Sequence, residues 1–346
     1  MKKNKYKFDK YSSKYDEEKS FKRIKIYKFI NRQNYNKSYI ILFLSIIIII
    51  QLIINIYFFF KSISSKYNNI SFEINNNEKI EEIDSNLILP LQDRLKGVIE
   101  ITFDEQKYLN GMVRKFKPKK LVEIGVSGGG TSALMLNAIK DMPDAKLYSI
   151  DRYVNWYRGE GKKSGWAIEE RFSELMNKWT FYTGVNTAEV IEKIGNNIDF
   201  AYIDTVHKCP GEMINFLEIL PFLKEEAIVV LHDTYMNFLA NYIYDKKIIN
   251  YSNNQLLCYI RGELILPSYG NEVFSRNIGG LKLYKNQKNY LKQYFLALGT
   301  QWVYMPEEND LKILRDFYIK YYGEKLVEIY DDAVAKNKKR WNRIHN

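Results

Sequence analysis

KLVEIGVSGGGTSALMLNAIKDMPDAKLYSID, residues 120–151, decides the fold. Leu121, Val122, Ile124 and Val126 form a short apolar run that stops in Gly128, Gly129 and Gly130, as a buried strand entering a turn does. Leu134, Leu136, Ile139 and Met142 then supply one face of a helix, and a second apolar run, LYSI, closes on Asp151. Strand, glycine turn, helix and strand, with an acid leaving the second strand, suit a nucleoside-bearing cofactor. The glycines let the backbone approach the ligand, and the carboxylate can take two ribose hydroxyls in hydrogen bonds.

The spacing narrows the cofactor. Glu123, Gly125, Gly129 and Thr131 give E-x-G-x-x-x-G-x-T, with Ser127 where the dinucleotide fingerprint has its middle glycine. A pyrophosphate needs that close approach, so an oxidoreductase using a dinucleotide is disfavoured. A turn serving only strand-to-helix packing is the plain alternative. The stretch resembles the first motif of the class I methyltransferases that use S-adenosylmethionine. That resemblance implies a cofactor site made by Glu123, Gly125, Ser127, Gly129, Thr131 and Asp151. Glu123 would face the methionine end or orient the glycine turn, Asp151 would hold the ribose, and Trp156 and Tyr157 are placed to stack on the adenine or to line the pocket mouth.

Beyond Asp151 the α/β alternation continues. Helices are predicted at Ala167–Trp179, Thr187–Ile194 and Pro210–Leu223, and strands at Thr180–Thr183, Ile198–Asp204 and Ala227–Asp233. Leu256–Leu266 and Ile278–Tyr284 read as final strands; with no full helix between them they are expected to pair antiparallel. Helical stretches follow near Tyr290–Leu298 and Asn309–Lys336, where Tyr290, Tyr294, Phe295, Phe317 and Tyr321 form a lid or a packing layer. Upstream, Asp104 is expected to cap a helix through Phe116 that Pro118 stops. The expected fold class is α/β: a Rossmann-like, seven-stranded, mostly parallel sheet with helices on both faces, plus an N-terminal transmembrane helix.

A second constellation falls at strand ends, where open α/β sheets bind ligands. Asp151, Asp204, His207, His232 and Asp233 all lie there, and the chain holds only three histidines. IDTVHKCPGEMINFLEILPFLKEEAIVVLHDT, residues 203–234, resembles the strand-four-to-five region of one small O-methyltransferase branch, whose usual form is I-D-G-x-H-x-Y followed by a hydrophobic strand ending in His-Asp. The resemblance runs from about Asp104 to Tyr330. Thr205 and Cys209 depart from the usual glycine and aromatic. By this resemblance Asp204 positions the cofactor's amino group, His207 is the general base for a hydroxyl acceptor, and Asp233 meets the substrate. His207 could equally shape its loop by hydrogen bonding. Related catechol-type enzymes hold magnesium at carboxylates in the positions of Asp204 and Asp233, so Mg2+ at these two residues is an option beside S-adenosylmethionine.

Charge argues against nucleic acid as a partner. The net charge is +11, but residues 1–38 carry +9 and residues 336–346 carry +5, leaving −3 between them. No basic groove is implied. Two cysteines, Cys209 and Cys258, match no metal or disulfide spacing. Residues 39–60 are uncharged and as a helix span about 33 Å, enough for a bilayer. The length of the run and the bulky Phe58–Lys61 flank argue against a cleaved signal peptide. The expected organisation is a basic tail over 1–38, a transmembrane helix over 39–60, a linker over 61–86, and a methyltransferase domain with a C-terminal helical extension over 87–346.

Six Lys or Arg flank the span before it and two after it, which places the domain outside. Supply of S-adenosylmethionine favours the cytosol, with the basic tail on anionic lipid. The expected function is methylation of a small-molecule or sugar hydroxyl. The alternative is a membrane-tethered, non-catalytic scaffold on the same fold.

Overall fold

The computed structural model describes residues 79–159, 161–234, 259–268 and 277–345. The basic tail, the apolar span at 39–60 and most of the linker lie outside the described residues. Among the described residues no helix is long and apolar enough to cross a membrane.

Seven strands form one sheet: β1 (Lys120–Ile124), β2 (Lys146–Asp151), β3 (Trp179–Thr183), β4 (Ile198–Ile203), β5 (Leu223–His232), β6 (Gly262–Ile265) and β7 (Ile278–Leu283). Their order is β3-β2-β1-β4-β5-β7-β6. The first five are parallel; β7 runs antiparallel to β5, and β6 antiparallel to β7. The order reverses between β1 and β4, which opens the crevice at their carboxyl ends.

Period-two alternation explains how the sheet buries both faces. On β5, Val229 and Leu231 join one apolar core while Ile228 and Val230 join the other. The second core takes helices α1 (Phe103–Phe116) and α2 (Gly130–Ala138). The first takes α4 (Thr187–Ile194), α5 (Gly211–Ile219), α6 (Leu291–Ala297), α7 (Glu308–Tyr322) and α8 (Glu324–His345). Tyr294, Phe295, Phe317 and Tyr318 are buried there among edge-on ring contacts, so the C-terminal aromatics form a packing layer.

Several expected boundaries move, each for a local reason. The cap of α1 is Thr102, not Asp104: Thr102 and Glu105 form a reciprocal capping box. The helix expected over 167–179 is α3 (Trp166–Arg171), which gives way at Phe172 to a 3-10 turn over Ser173–Lys178. Arg94 stacks on the buried Phe172 ring and donates to the Arg171 carbonyl, ending α3 there. Gly323, at φ 80°, divides α7 from α8 where one helix was expected. The last part of the expected linker is folded: Ile80 is buried, Ser268 donates to Glu81, and Arg114 pairs with Asp84 at 2.5 Å.

Candidate active site

The glycine turn is held from behind. Glu123, fully buried on β1, accepts hydroxyl hydrogen bonds from Thr131 (2.7 Å), Ser132 (2.5 Å) and Ser149 (2.6 Å). Burial pushes its carboxyl up to about 7, against the pull of those three hydroxyls. Through Thr131 and Ser132, Glu123 is tied to the helix that follows the turn. Gly125 (φ 89°) and Gly129 (φ 96°) adopt the left-handed region. A Cβ on Gly125 would meet the Asp204 carbonyl, and one on Gly130 would meet the backbone at Ile99. Gly125 and Gly130 therefore allow chain segments to touch.

Asp151 lies at the end of β2 and ties down the turn's leading edge. Its Oδ2 accepts from the backbone N–H groups of Val126 (3.0 Å) and Ser127 (3.1 Å), and its Oδ1 from that of Tyr153 (2.8 Å). The Ser127 hydroxyl donates to Glu100 and accepts from the Trp156 indole. Trp156 is buried against Trp166, with ring centroids 5.7 Å apart. Tyr157 is exposed, with its hydroxyl on Glu100.

The second constellation converges at the ends of β4 and β5. His207 Nδ1 lies 3.0 Å from Asp233 Oδ2 and 3.6 Å from both Asp204 Oδ1 and Glu212 Oε1. The His232 ring joins them, with Nδ1 3.4 Å from Asp204 Oδ2 and 3.5 Å from Asp233 Oδ2, and Nε2 3.6 Å from Glu105 Oε1. Tyr202 donates to Asp204, and Asn277 to Asp233. Burial works against the charged form of His232, but the carboxylates, Asp204 foremost, raise its pKa well above the ordinary range. Burial likewise opposes ionisation of Asp233, yet His232, His207 and Asn277 bring it down to about 2. His207 and Asp233 both hold positive φ, 57° and 54°, a backbone state seldom kept without tertiary enforcement. Glu212 supplies that enforcement at the loop, accepting from the His207 backbone and from Thr205 at 3.1 Å.

The sequence departures are absorbed locally. Thr205 bonds Glu212 and Asn215, and Cys209 is buried with its thiol 3.2 Å from the Thr300 hydroxyl. Burial pushes that thiol up to about 11, which disfavours the thiolate. Sequence reading missed Glu105, Tyr202, Glu212 and Asn277, and gave His232 no role. The T-x-x-E box at Thr102 was the one local signal, since it fixes where Glu105 sits.

Asp204, His232 and Asp233 each offer a ligand atom within 4.8 Å of the others. An imidazole among the donors suits a nitrogen-accepting divalent ion better than magnesium, which prefers oxygen alone. A cavity of about 320 Å³ lies elsewhere, near Arg114, Lys117, Asp141 and Asp144 at the amino ends of β1 and β2, and holds none of these groups.

Residues 122–234, from β1 through the end of β5, match a family model described as a methyltransferase domain. No curated protein matches the sequence. Similar solved structures include the O-methyltransferase TomG from Streptomyces achromogenes, involved in tomaymycin synthesis, at 14% identity and TM-score 0.40, covering 64% of this chain and 96% of that one. An O-methyltransferase from Bacillus cereus in complex with SAH has 14% identity and TM-score 0.41, over 57% and 91%. The Podospora anserina methyltransferase PaMTH1 has 12% identity and TM-score 0.39, over 64% and 96%.

Proposed function

We propose that the chain is an S-adenosylmethionine-dependent methyltransferase acting on a hydroxyl of a small molecule or sugar. One observation carries the reading. The methyltransferase-domain match, residues 122–234, begins on the strand feeding the glycine turn and ends one residue past the His232–Asp233 pair. It therefore spans both constellations.

Methyl transfer is an in-line displacement. The methyl leaves sulfur for the acceptor oxygen, sulfur keeps the bonding pair as a neutral thioether, and the acceptor's proton needs a base. The protein positions both partners and excludes water. In this reading Asp151 receives the ribose at the edge of the turn, and Asp204 takes the cofactor's amino group. His207 accepts the acceptor's proton, held by Asp233 3.0 Å from its Nδ1. Alternatively, a divalent ion held by Asp204, Asp233 and a neutral His232 would supply Lewis acidity toward an acceptor oxygen, in place of the amino-group role of Asp204.

Residues 39–60 are proposed to anchor the domain, which faces the cytosol where the methyl donor is made. A reporter fused at Asn346 tests this; activity that requires export would overturn it. Calorimetry of the full chain in detergent tests the enzymatic reading. Binding of S-adenosylmethionine followed by release of S-adenosylhomocysteine with some hydroxyl acceptor is expected. Binding without release, across a broad acceptor panel, favours the tethered scaffold instead.

A further inference from the structure

Three residues meet at the carboxyl ends of β2 and β3, outside the groups assigned above. Arg152, the residue after Asp151, donates from Nη1 to Asp310 Oδ2 at 2.5 Å and to Asn186 Oδ1 at 3.4 Å. Its Nη2 lies 3.5 Å from Glu307. Asn186, the N-cap residue of α4, donates to the other oxygen of Asp310 at 3.0 Å. Asp310 stands in the first turn of α7 and is buried, so both its carboxylate oxygens are met by protein donors.

The chain leading to Asp310 grips the site a second time. Val303 donates its backbone N–H to the Cys209 carbonyl at 3.0 Å, and Thr300 meets the Cys209 thiol. Buried Asn337 on α8 fixes this stretch from outside, accepting from the Trp302 backbone and donating to the Thr300 carbonyl. Residues 300–310 thus form a strap from the His207 loop to the exit of β2. The strap lies beyond residues 122–234, the part matching the family model.

We propose that Asp310, acting through Arg152, is a positioning residue for the nucleoside end of the cofactor. The strap closes the β2–β3 side of the crevice, and the Arg152–Asp310 contact fixes the backbone that presents Asp151. An exposed ion pair contributes little by itself. This one has a buried partner and sits one residue from the ribose-binding acid, so loosening it displaces that acid. The inference rests on the S-adenosylmethionine reading.

Calorimetry with S-adenosylmethionine, on the full chain in detergent, tests it. Arg152→Ala and Asp310→Asn should each raise Kd about tenfold, and the double variant no further, because the two act as one unit. Arg152→Lys keeps a charge at Asp310 and should stay within about threefold of wild type. Arg315→Ala, which cuts the exposed Arg315–Asp331 pair between α7 and α8, should leave Kd unchanged. The proposal is overturned if Arg152→Ala binds like wild type, if the single effects multiply in the double, or if Arg315→Ala weakens binding equally. Should Asp310→Asn fail to fold, the contrast between Arg152→Ala and Arg152→Lys decides alone. No binding by wild type sinks the methyltransferase reading and this with it; wild-type binding with unaffected variants sinks this inference only.

Discussion

Gly125 and Asp204 touch back to back: a Cβ built on Gly125 falls 1.8 Å from the Asp204 carbonyl oxygen. The Asp204 amide also bonds the Ile124 carbonyl, at 2.9 Å, so the ends of β1 and β4 are zipped together with no room for a side chain. Gly125 is first a folding requirement and only then part of a binding turn. Gly125→Ala combines a backbone clash with a positive φ and should destabilise the fold by about 4 kcal/mol or more. Urea unfolding checks this, and a wild-type midpoint would show that the strand ends can part without cost.

His207→Ala should cut turnover by about 10²–10⁴ while changing S-adenosylmethionine affinity by less than about threefold. Asp233→Asn should lower turnover in the same sense, by loosening the imidazole it holds. The measurement is S-adenosylhomocysteine release with any acceptor the wild type accepts. Equal turnover in wild type and His207→Ala would leave that histidine a loop-shaping residue.

Glu123 gives the fold a pH dependence of known sign. Its carboxyl titrates at about 7 when folded, against 4.5 as the ordinary value, because burial penalises the charge. The unfolded chain therefore releases this proton first as pH rises. Its stabilising contribution is full below 4.5 and falls by on the order of 3 kcal/mol by the time pH passes 7. Glu123→Gln, neutral at every pH, should lose less stability than wild type between pH 5 and 8. Parallel stability curves for the two proteins would show that Glu123 ionises freely in the fold.

A chain beginning at Lys79 should fold, and one beginning at Leu87 should be less stable by about 2–4 kcal/mol. The shorter chain loses the buried Ile80 side chain, the Glu81–Ser268 hydrogen bond and the Asp84–Arg114 pair. Thermal melting of the two chains compares them directly. Identical melting temperatures would make residues 79–86 a linker after all.

The sheet was legible because its signals are local. Apolar runs at Leu121–Val126 and Ala227–Leu231, each closing on a turn, need no knowledge of distant residues. Antiparallel pairing of the last two strands followed from the missing helix between them. What stayed hidden came from contacts across the chain. Arg94 ends α3 from 77 residues away, and nothing around Phe172 announces it. Trp156 follows Asp151 in sequence, and nothing near it announces that it is buried against Trp166. His232 was visible at a strand end, but Glu105, which meets its far nitrogen, arrives from the first turn of α1, more than a hundred residues away in sequence.

The hydrogen bonds that fasten Asp151 also set what it can still accept. A carboxylate has about four lone-pair positions. Two on Oδ2 are occupied by Val126 and Ser127, and one on Oδ1 by Tyr153. In the proposed S-adenosylmethionine site a single position would remain, so this acid would take one sugar hydroxyl directly. The two ribose hydroxyls then become unequal to the protein. Of the 2′-deoxy and 3′-deoxy forms of the cofactor, one should bind nearly as the parent does and the other lose about tenfold. A folding device that holds a turn would in this way choose between two neighbouring oxygens on the ligand.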